Sequence, residues 1–454
     1  MYWEDYLPAI MFLTLALGLF SGFPVAFMVG GVGLLFGFIG WSVDYFSLIE
    51  FYNILPRVWG GAAENLVLVA VPCFVFMGTM LERSGVASDL LDILDVLLRR
   101  IPGGLALAVT VMGTIMAATT GIIGASVVMM TLMALPTMLR QRYNTPLATG
   151  TLAASATLGI LIPPSIMLVI MADLLSISVG NLFLGAIVPG FLLSALYFLY
   201  IFLVSSARPD WAPRLADDVG PKTTTALIMM IIKGFVPPVF LVVLVLGSIF
   251  AGWATPTEAA GVGAFGATLL ALFNRRLNLE VLKDVSERTA LTSGMIFFIF
   301  IGATTFSYVF RSLGGEDLII DTIEYMGLSS WGLLFVLMGT VFLLGFFFDW
   351  IEITLIVLPV FAPIVKIMDF GDHVANADII YWFAILVAVN LQTSFLTPPF
   401  GFALFYMKGV APPSVKLQQI YVGIIPFVIL QLIGLAAVIY WPQLALWLPH
   451  TLLE

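Results

Sequence analysis

LGILIPPS at 158–165 and TSFLTPPF at 393–400 decide how this chain is read. Each lies inside a long apolar run, at 146–172 and 379–406. A proline pair removes two N–H donors and clashes with the preceding turn, so a helix opens there. Carbonyls freed within such a run need partners other than water. Small polar residues precede each pair: Ser155, Thr157 and Gly159 in one run, Asn390, Gln392, Thr393, Ser394 and Thr397 in the other. Hydroxyl, amide and carbonyl oxygens form a hard ligand set that suits an alkali cation. A single pair reads equally as a kink whose carbonyls are satisfied locally by Ser and Thr. Two pairs in matching positions favour the ligand reading.

The whole chain has the same character. Of its 454 residues, 61% are apolar and 10% are charged. Soluble domains carry about 25% charged residues. The deficit excludes a soluble enzyme, a disordered chain and a nucleic-acid binder, and indicates an all-α polytopic membrane protein. One cysteine, Cys73, allows no disulfide framework, and His373 and His450 alone do not make a histidine metal site. No basic stretch precedes the first apolar run, which is read as a retained span.

Apolar runs at 7–20, 23–41, 64–82, 146–172, 180–206, 226–250, 252–273, 293–310, 379–406 and 417–447 give about ten full spans. Two further runs, 103–139 and 330–366, are each 37 residues long and broken in the middle. That length suits a re-entrant hairpin. The tips would fall at Thr119–Ser126 and Asp349–Thr354. Amphipathic stretches at 84–100, 276–291 and 316–326 read as interfacial or bracing helices. With both hairpins re-entrant, 15 of the 18 basic residues fall on one face. The positive-inside rule makes that face cytoplasmic and puts both termini outside.

The chain also resembles itself. FMGT…RSG at 76–85 reappears as FIGA…RSLG at 300–314, LGILIPPS as TSFLTPPF, and LGAIVP at 184–189 as YVGIIP at 421–426. Equivalent loops have opposite charge: 139–146 is basic and 366–378 acidic. Opposite charge on equivalent loops is the signature of inverted-topology repeats, in which substrate and ion meet broken helices at the midplane. The expected organisation is 1–63 as scaffold spans with an arm helix and 64–206 as the first repeat. Residues 207–292 follow as linker and scaffold, then 293–447 as the second repeat.

Asp349 and Glu352 are the acids this topology places deep in the membrane, a functional signal by default. Three residues apart, they would share one helix face and serve Na⁺ or a proton relay; a tip nearer the interface would leave both solvated. No intramembrane Arg or Lys is expected beside them. Pro237/Pro238 read as a scaffold kink, and Gly30, Gly31 and Gly33 as close helix packing.

TGIIGASVVMMTLMALP, LGILIPPSIMLVI, FFFDWIEITLIVLPVFAPI and FLTPPFGFALFYMKGVAP closely resemble the large membrane subunit of tripartite ATP-independent periplasmic (TRAP) transporters, the DctM-like family. The resemblance runs from about 7 to 445. It implies an elevator-type ion-transporter fold that imports an organic acid with a Na⁺ gradient, in the bacterial inner membrane. It implies two protein partners, a small four-helix membrane subunit and a periplasmic binding protein, with lipid around them and no cofactor beyond Na⁺. Carried onto this sequence, the ion positions are Thr119, Thr120, Gly121, Gly124, Ser126, Thr157, Gly159, Asp349, Thr354, Thr393, Ser394 and Thr397. Those expected near substrate are Ser126, Pro163, Pro164, Ser165, Glu352, Asn390, Gln392, Pro398 and Pro399. Glu352 departs from the small or apolar residue common there and leaves Na⁺ against H⁺ open. The competing readings are a stand-alone Na⁺- or H⁺-coupled carrier of related fold and an intramembrane enzyme. Against the enzyme stand the lack of a second intramembrane Asp, of HExxH and of a Ser/His pair in a span.

Overall fold

The structure, a computed structural model, describes residues 6–120, 123–214, 223–398 and 401–452, with backbone alone at 117–120 and 224. Among the described residues the regular structure is helical throughout. Among the described residues, seven helices are long and apolar enough to cross a membrane.

Helices α1 (Leu7–Leu19) and α2 (Val25–Ser42) form the first pair. α3 (Leu48–Val58) buries no residue and starts with a capping box between Ser47 and Glu50. A π-helical turn, Trp59–Ala63, links it to α4 (Ala70–Arg83). The first repeat continues as α5 (Val86–Leu98), α6 (Gly104–Thr120), α7 (Ile123–Arg140), α8 (Thr145–Thr157) and α9 (Ile166–Leu175), closed by α10 (Val179–Ala207). α11 (Thr224–Gly234) and α12 (Val236–Phe250) meet at a break beside Pro237/Pro238, as the scaffold kink requires. α13 (Pro256–Phe273) leads into α14 (Leu279–Ser312). The second repeat repeats the order: α15 (Gly315–Met326), α16 (Ser330–Leu344), α17 (Trp350–Lys366), α18 (Ile379–Ser394) and α19 (Phe402–Val410). α20 (Leu417–Tyr440) and α21 (Gln443–Leu452) end the chain. The expected last span at 417–447 is therefore two helices, separated at Trp441-Pro442.

The correspondence extends to single residues. Arm helices α5 and α15 are each entered through a left-handed glycine, Gly85 at φ 78° and Gly314 at φ 81°. A non-glycine residue there costs roughly 1–2 kcal/mol. Each arm is followed by a hairpin, α6–α7 or α16–α17, and then by a helix interrupted at its Pro-Pro site, α8–α9 or α18–α19. In each repeat a hairpin glycine seats on a serine of the broken helix. A Cβ on Gly113 would lie 2.8 Å from Ser155 Cβ, and one on Gly345 2.4 Å from Ser394 Cβ.

The inversion follows from α14. Its 34 residues run as one helix of about 50 Å. The separate interfacial helix expected at 276–291 does not exist: it is the first part of α14. Apolar periodicity carries across Thr289–Ser293 without a break, so the helix has no reason to stop. Arg83 at the end of α4 pairs with Asp284 near the start of α14, at 2.7 Å. The first arm and hairpin therefore leave from α14's N-terminal face. The second arm and hairpin leave from its C-terminal end. α14 packs tightly on α2, where a Cβ on Gly302 would meet the Ala26 carbonyl at 2.7 Å and one on Gly33 the Phe306 backbone at 3.0 Å.

The broken helices form the centre. α8 and α18 are buried on every face, and α9 nearly so. α8 and α18 carry no charged residue on any face, so both can lie inside. Gly345 tests this packing against Gly339, which sits on the preceding helix with open space around it. Gly345→Val forces α16 off α18 and lowers stability by about 1–3 kcal/mol, the usual cost of overpacking. Gly339→Val lacks that clash. Thermal unfolding in detergent should show a lower midpoint for the first variant alone.

Candidate substrate and ion site

The local sequence sets each tip. Asp349 caps α17: its Oδ1 accepts the Trp350 N–H at 2.7 Å, and Glu352 Oε2 accepts the Asp349 N–H at 2.5 Å. This reciprocal pairing satisfies donors that a helix start leaves open. It also separates the two acids. Asp349 lines a cavity of about 380 Å³ together with Gly124, Arg288 and Tyr406. Glu352 is absent from that lining and borders a smaller pocket against Phe12 and Leu15 of α1. The two acids, expected on one helix face as an ion or substrate pair, border different cavities, and one Glu352 oxygen is used at the helix start. Glu352 is held by the backbone of its own helix start.

All four sequence breaks converge on the larger cavity. Its walls include Ile123, Ile166, Trp350 and Phe402, the first residues of α7, α9, α17 and α19. Four helix N-termini thus meet around one space. Each carries about half a positive charge and favours an anion by about 0.3–1 kcal/mol when exposed, up to about 2 when partly buried. A Cβ on Gly124 would lie 3.0 Å from the Tyr406 ring, so a side chain there would press on the cavity wall.

The remaining named residues sit behind this surface. Thr354, Asn390, Gln392, Thr393, Ser394, Ser126, Thr157 and Ser165 are buried, as are Gly159, Pro163 and Pro164, while Thr397 and Pro398 are partly buried. Thr119 and Thr120 side chains, Gly121 and Pro399 lie outside the described residues. Thr157 donates to Ala154 O at 2.9 Å, Thr393 to Asn390 O at 2.7 Å, Ser394 to Leu391 O at 2.5 Å and Thr397 to Thr393 O at 2.5 Å. Ser165 donates to Ile160 O. A hydroxyl whose proton is used this way keeps lone pairs for a cation. Thr354 Oγ1, Asn390 Oδ1 and Gln392 Oε1 are buried with no hydrogen-bond partner among the described residues. Such oxygens are costly unless something meets them.

The scaffold wall was not foreseen. Glu82 comes from α4, and Arg288, Thr292, Met295 and Ile296 come from α14. Arg288 corrects the expectation that no cationic side chain faces the site. It was hidden because 276–291 read as an interfacial helix. Its Nε is 3.1 Å from Asp284 Oδ1, and its side chain is 47% exposed, so the cavity opens toward α14's N-terminal face. The signal available in the sequence was the unbroken apolar period from Val285 through Ile299.

Asn390 Nδ2 donates to Met338 O at 2.7 Å and ties α18 to the second hairpin. Asn390→Ala should cost about 1–3 kcal/mol, as for a buried polar pairing. Ser394→Ala, which removes a bond only within its own helix, should cost about 1 kcal/mol or less. Comparison of their thermal midpoints decides whether Asn390 is the tie.

These features define a class: a polytopic helical membrane protein of two inverted repeats around one central cavity. The particular family follows from comparison. A model for the DctM component of tripartite ATP-independent periplasmic transporters matches residues 12–444. The chain is 31% identical over 391 residues to the C4-dicarboxylate TRAP transporter large permease protein DctM of Pseudomonas aeruginosa, covering 86% of this chain and 88% of that one. It is 30% identical to the isethionate TRAP transporter permease protein DctMQ of Oleidesulfovibrio alaskensis, covering 97% of this chain and 66% of that longer protein. The chain belongs to the DctM family of transport permeases; it is a membrane transporter subunit, not an enzyme. Its fold is similar to that of the YdaH transporter of Alcanivorax borkumensis, with a TM-score of 0.58 at 16% identity over 88% of each chain.

Proposed function

We propose that this chain is the large subunit of a TRAP importer that moves a small organic anion, carboxylate or sulfonate, with an inward Na⁺ gradient. The observation that carries the reading is the convergence of four helix starts, Asp349 and Arg288 on one cavity of about 380 Å³. Helix starts and Arg288 suit the anionic group. The unpaired oxygens of Thr354, Asn390 and Gln392, close in sequence to the hairpin tip and the second Pro-Pro break, suit Na⁺. Its relatives carry a C4-dicarboxylate name and an isethionate name, which share an anionic head and differ in the rest. That shared head supports an anionic solute.

In this reading the hairpins and broken helices slide as one body along α14, while α5 and α15 brace it as arms. α14's N-terminal face then lies in the cytoplasm, a side that the charge bias supports. The cavity at Arg288 is then reached from the cytoplasm, with the chain in the bacterial inner membrane and both termini outside. A small membrane subunit and a periplasmic binding protein complete the system. The extra length of the DctMQ relative is consistent with such a companion.

Reconstitution in proteoliposomes with both partners tests this. Labelled succinate or isethionate should accumulate under an inward Na⁺ gradient. Asp349→Asn should abolish uptake. Arg288→Gln should lower it about 10- to 100-fold, the loss of a charged hydrogen bond at about 1.5–3 kcal/mol. Equal uptake in choline, or undiminished uptake without the partners, would contradict the proposal.

A further inference from the structure

α14 borders a second cavity, of about 410 Å³, nearer its C-terminal end. Arg288, Thr292, Met295 and Ile296 face the first cavity, and Phe300, Thr304, Ser307, Tyr308 and Arg311 face the second. α17 borders both: Asp349 and Trp350 at its start face the first, Leu355 and Pro359 the second. Arg288 and Arg311 lie 23 positions apart on one helix, about 35 Å.

Among the described residues, one guanidinium at this second cavity, that of Arg57, has no carboxylate partner. Arg57, in the last turn of α3, has its guanidinium carbon 4.5 Å from the Tyr308 ring centroid. Tyr308 accepts from Asn53 Nδ2 at 3.3 Å, which leaves its own hydroxyl proton free to donate. Gly60 and Gly61, in the π-helical turn, keep the mouth open beside Arg57. Local π-helix is frequent at functional sites.

Arg311 is shared between helices. Its Nε is 2.9 Å from Glu316, and its Nη2 donates to Pro359 O at 2.7 Å. The helix partner for that carbonyl would be the N–H of residue 363, which is proline. Pro363 thus exposes the carbonyl, and Arg311 reaches from α14 to fill it. One guanidinium both borders the cavity and holds α17.

We propose that this cavity is a second anion site, where Arg57 and Arg311 take the carboxylate or sulfonate of a small organic anion on the opposite side of the hairpin tips from Arg288. It rests on the transport reading for its sidedness alone. The volume lies in the range of small-molecule sites. A guanidinium suits carboxylate and related oxyanions, and both arginines line this one cavity.

The test uses the purified full chain with Cys73→Ala and Ser307→Cys, which leaves one thiol, at the cavity wall. The probes are a sulfonatoethyl and a trimethylammonioethyl methanethiosulfonate, and the measurement is the ratio of their reaction rates. Arg57→Gln should lower the anionic-to-cationic ratio about tenfold, because attraction to a charge this close is strong. Arg57→Lys should retain most of it. Lys366→Gln should change it less than about twofold through screening. Isethionate or succinate, exchanged for chloride at equal ionic strength, should protect the introduced thiol saturably, and equally in Asp349→Asn. A ratio unchanged in Arg57→Gln, or no saturable protection, overturns the proposal. Protection lost in Asp349→Asn also overturns it, by placing the anion at the hairpin tips. Protection that persists while Na⁺-driven uptake is absent supports this site and counts against the transport reading.

Discussion

A backbone carbonyl or N–H in hydrocarbon must be paired, and each unpaired group costs several kcal/mol. This chain interrupts four helices at the centre of an apolar protein. It tolerates the breaks because they lie inside protein around a polar cavity rather than against lipid. α8 and α18 are buried on all faces for that reason, and glycines at 113 and 345 let hairpins approach the serines beside the breaks. On the transport reading, the groups left without helix partners become the ligand set. Stability and binding then use the same backbone atoms.

α14 gives this centre its surroundings. It carries Arg288 at one end and Arg311 at the other, with small side chains, Thr292, Ala303, Thr304 and Ser307, between them. Each arginine is paired with a carboxylate, Asp284 or Glu316, and each of those pairs is more than a third exposed. Exposed pairs contribute little to stability, about 0–1 kcal/mol. Their value lies in placing a cation at each end of the seam between α14 and the hairpin helices.

Much of this arrangement was legible in residue order. Pro163/Pro164 and Pro398/Pro399 announce helix breaks because proline chemistry is local. The stretches at 84–100 and 316–326 stand out by amphipathic period, and the hairpin runs by length. α5 and α15 fall on those amphipathic stretches, and α6–α7 and α16–α17 on the two long runs, within a residue or two. What was not legible depends on which face a side chain takes. Arg288 looked interfacial because nearby charges, Lys283, Asp284 and Glu287, suggested a surface helix. Only packing against α4 shows it to be a cavity wall. Glu352 looked like Asp349's partner at an ion site. At a helix start the capping geometry turns its carboxylate back to the backbone instead. Arg57 and Arg311, far apart in sequence, line one cavity only through α3's return to α14.

On the transport reading, oxygens at the helix breaks hold the coupling ion. The direct measurement is thermal stability of the purified chain titrated with NaCl against KCl and choline chloride at constant ionic strength. A ligand that binds only the folded state stabilises it by about 2.7 kcal/mol at a hundred times its dissociation constant. The expected result is a saturable rise specific to Na⁺ that is lost in Asp349→Asn and Ser394→Ala. An identical response to all three cations, or a Na⁺ response untouched by both substitutions, would contradict it.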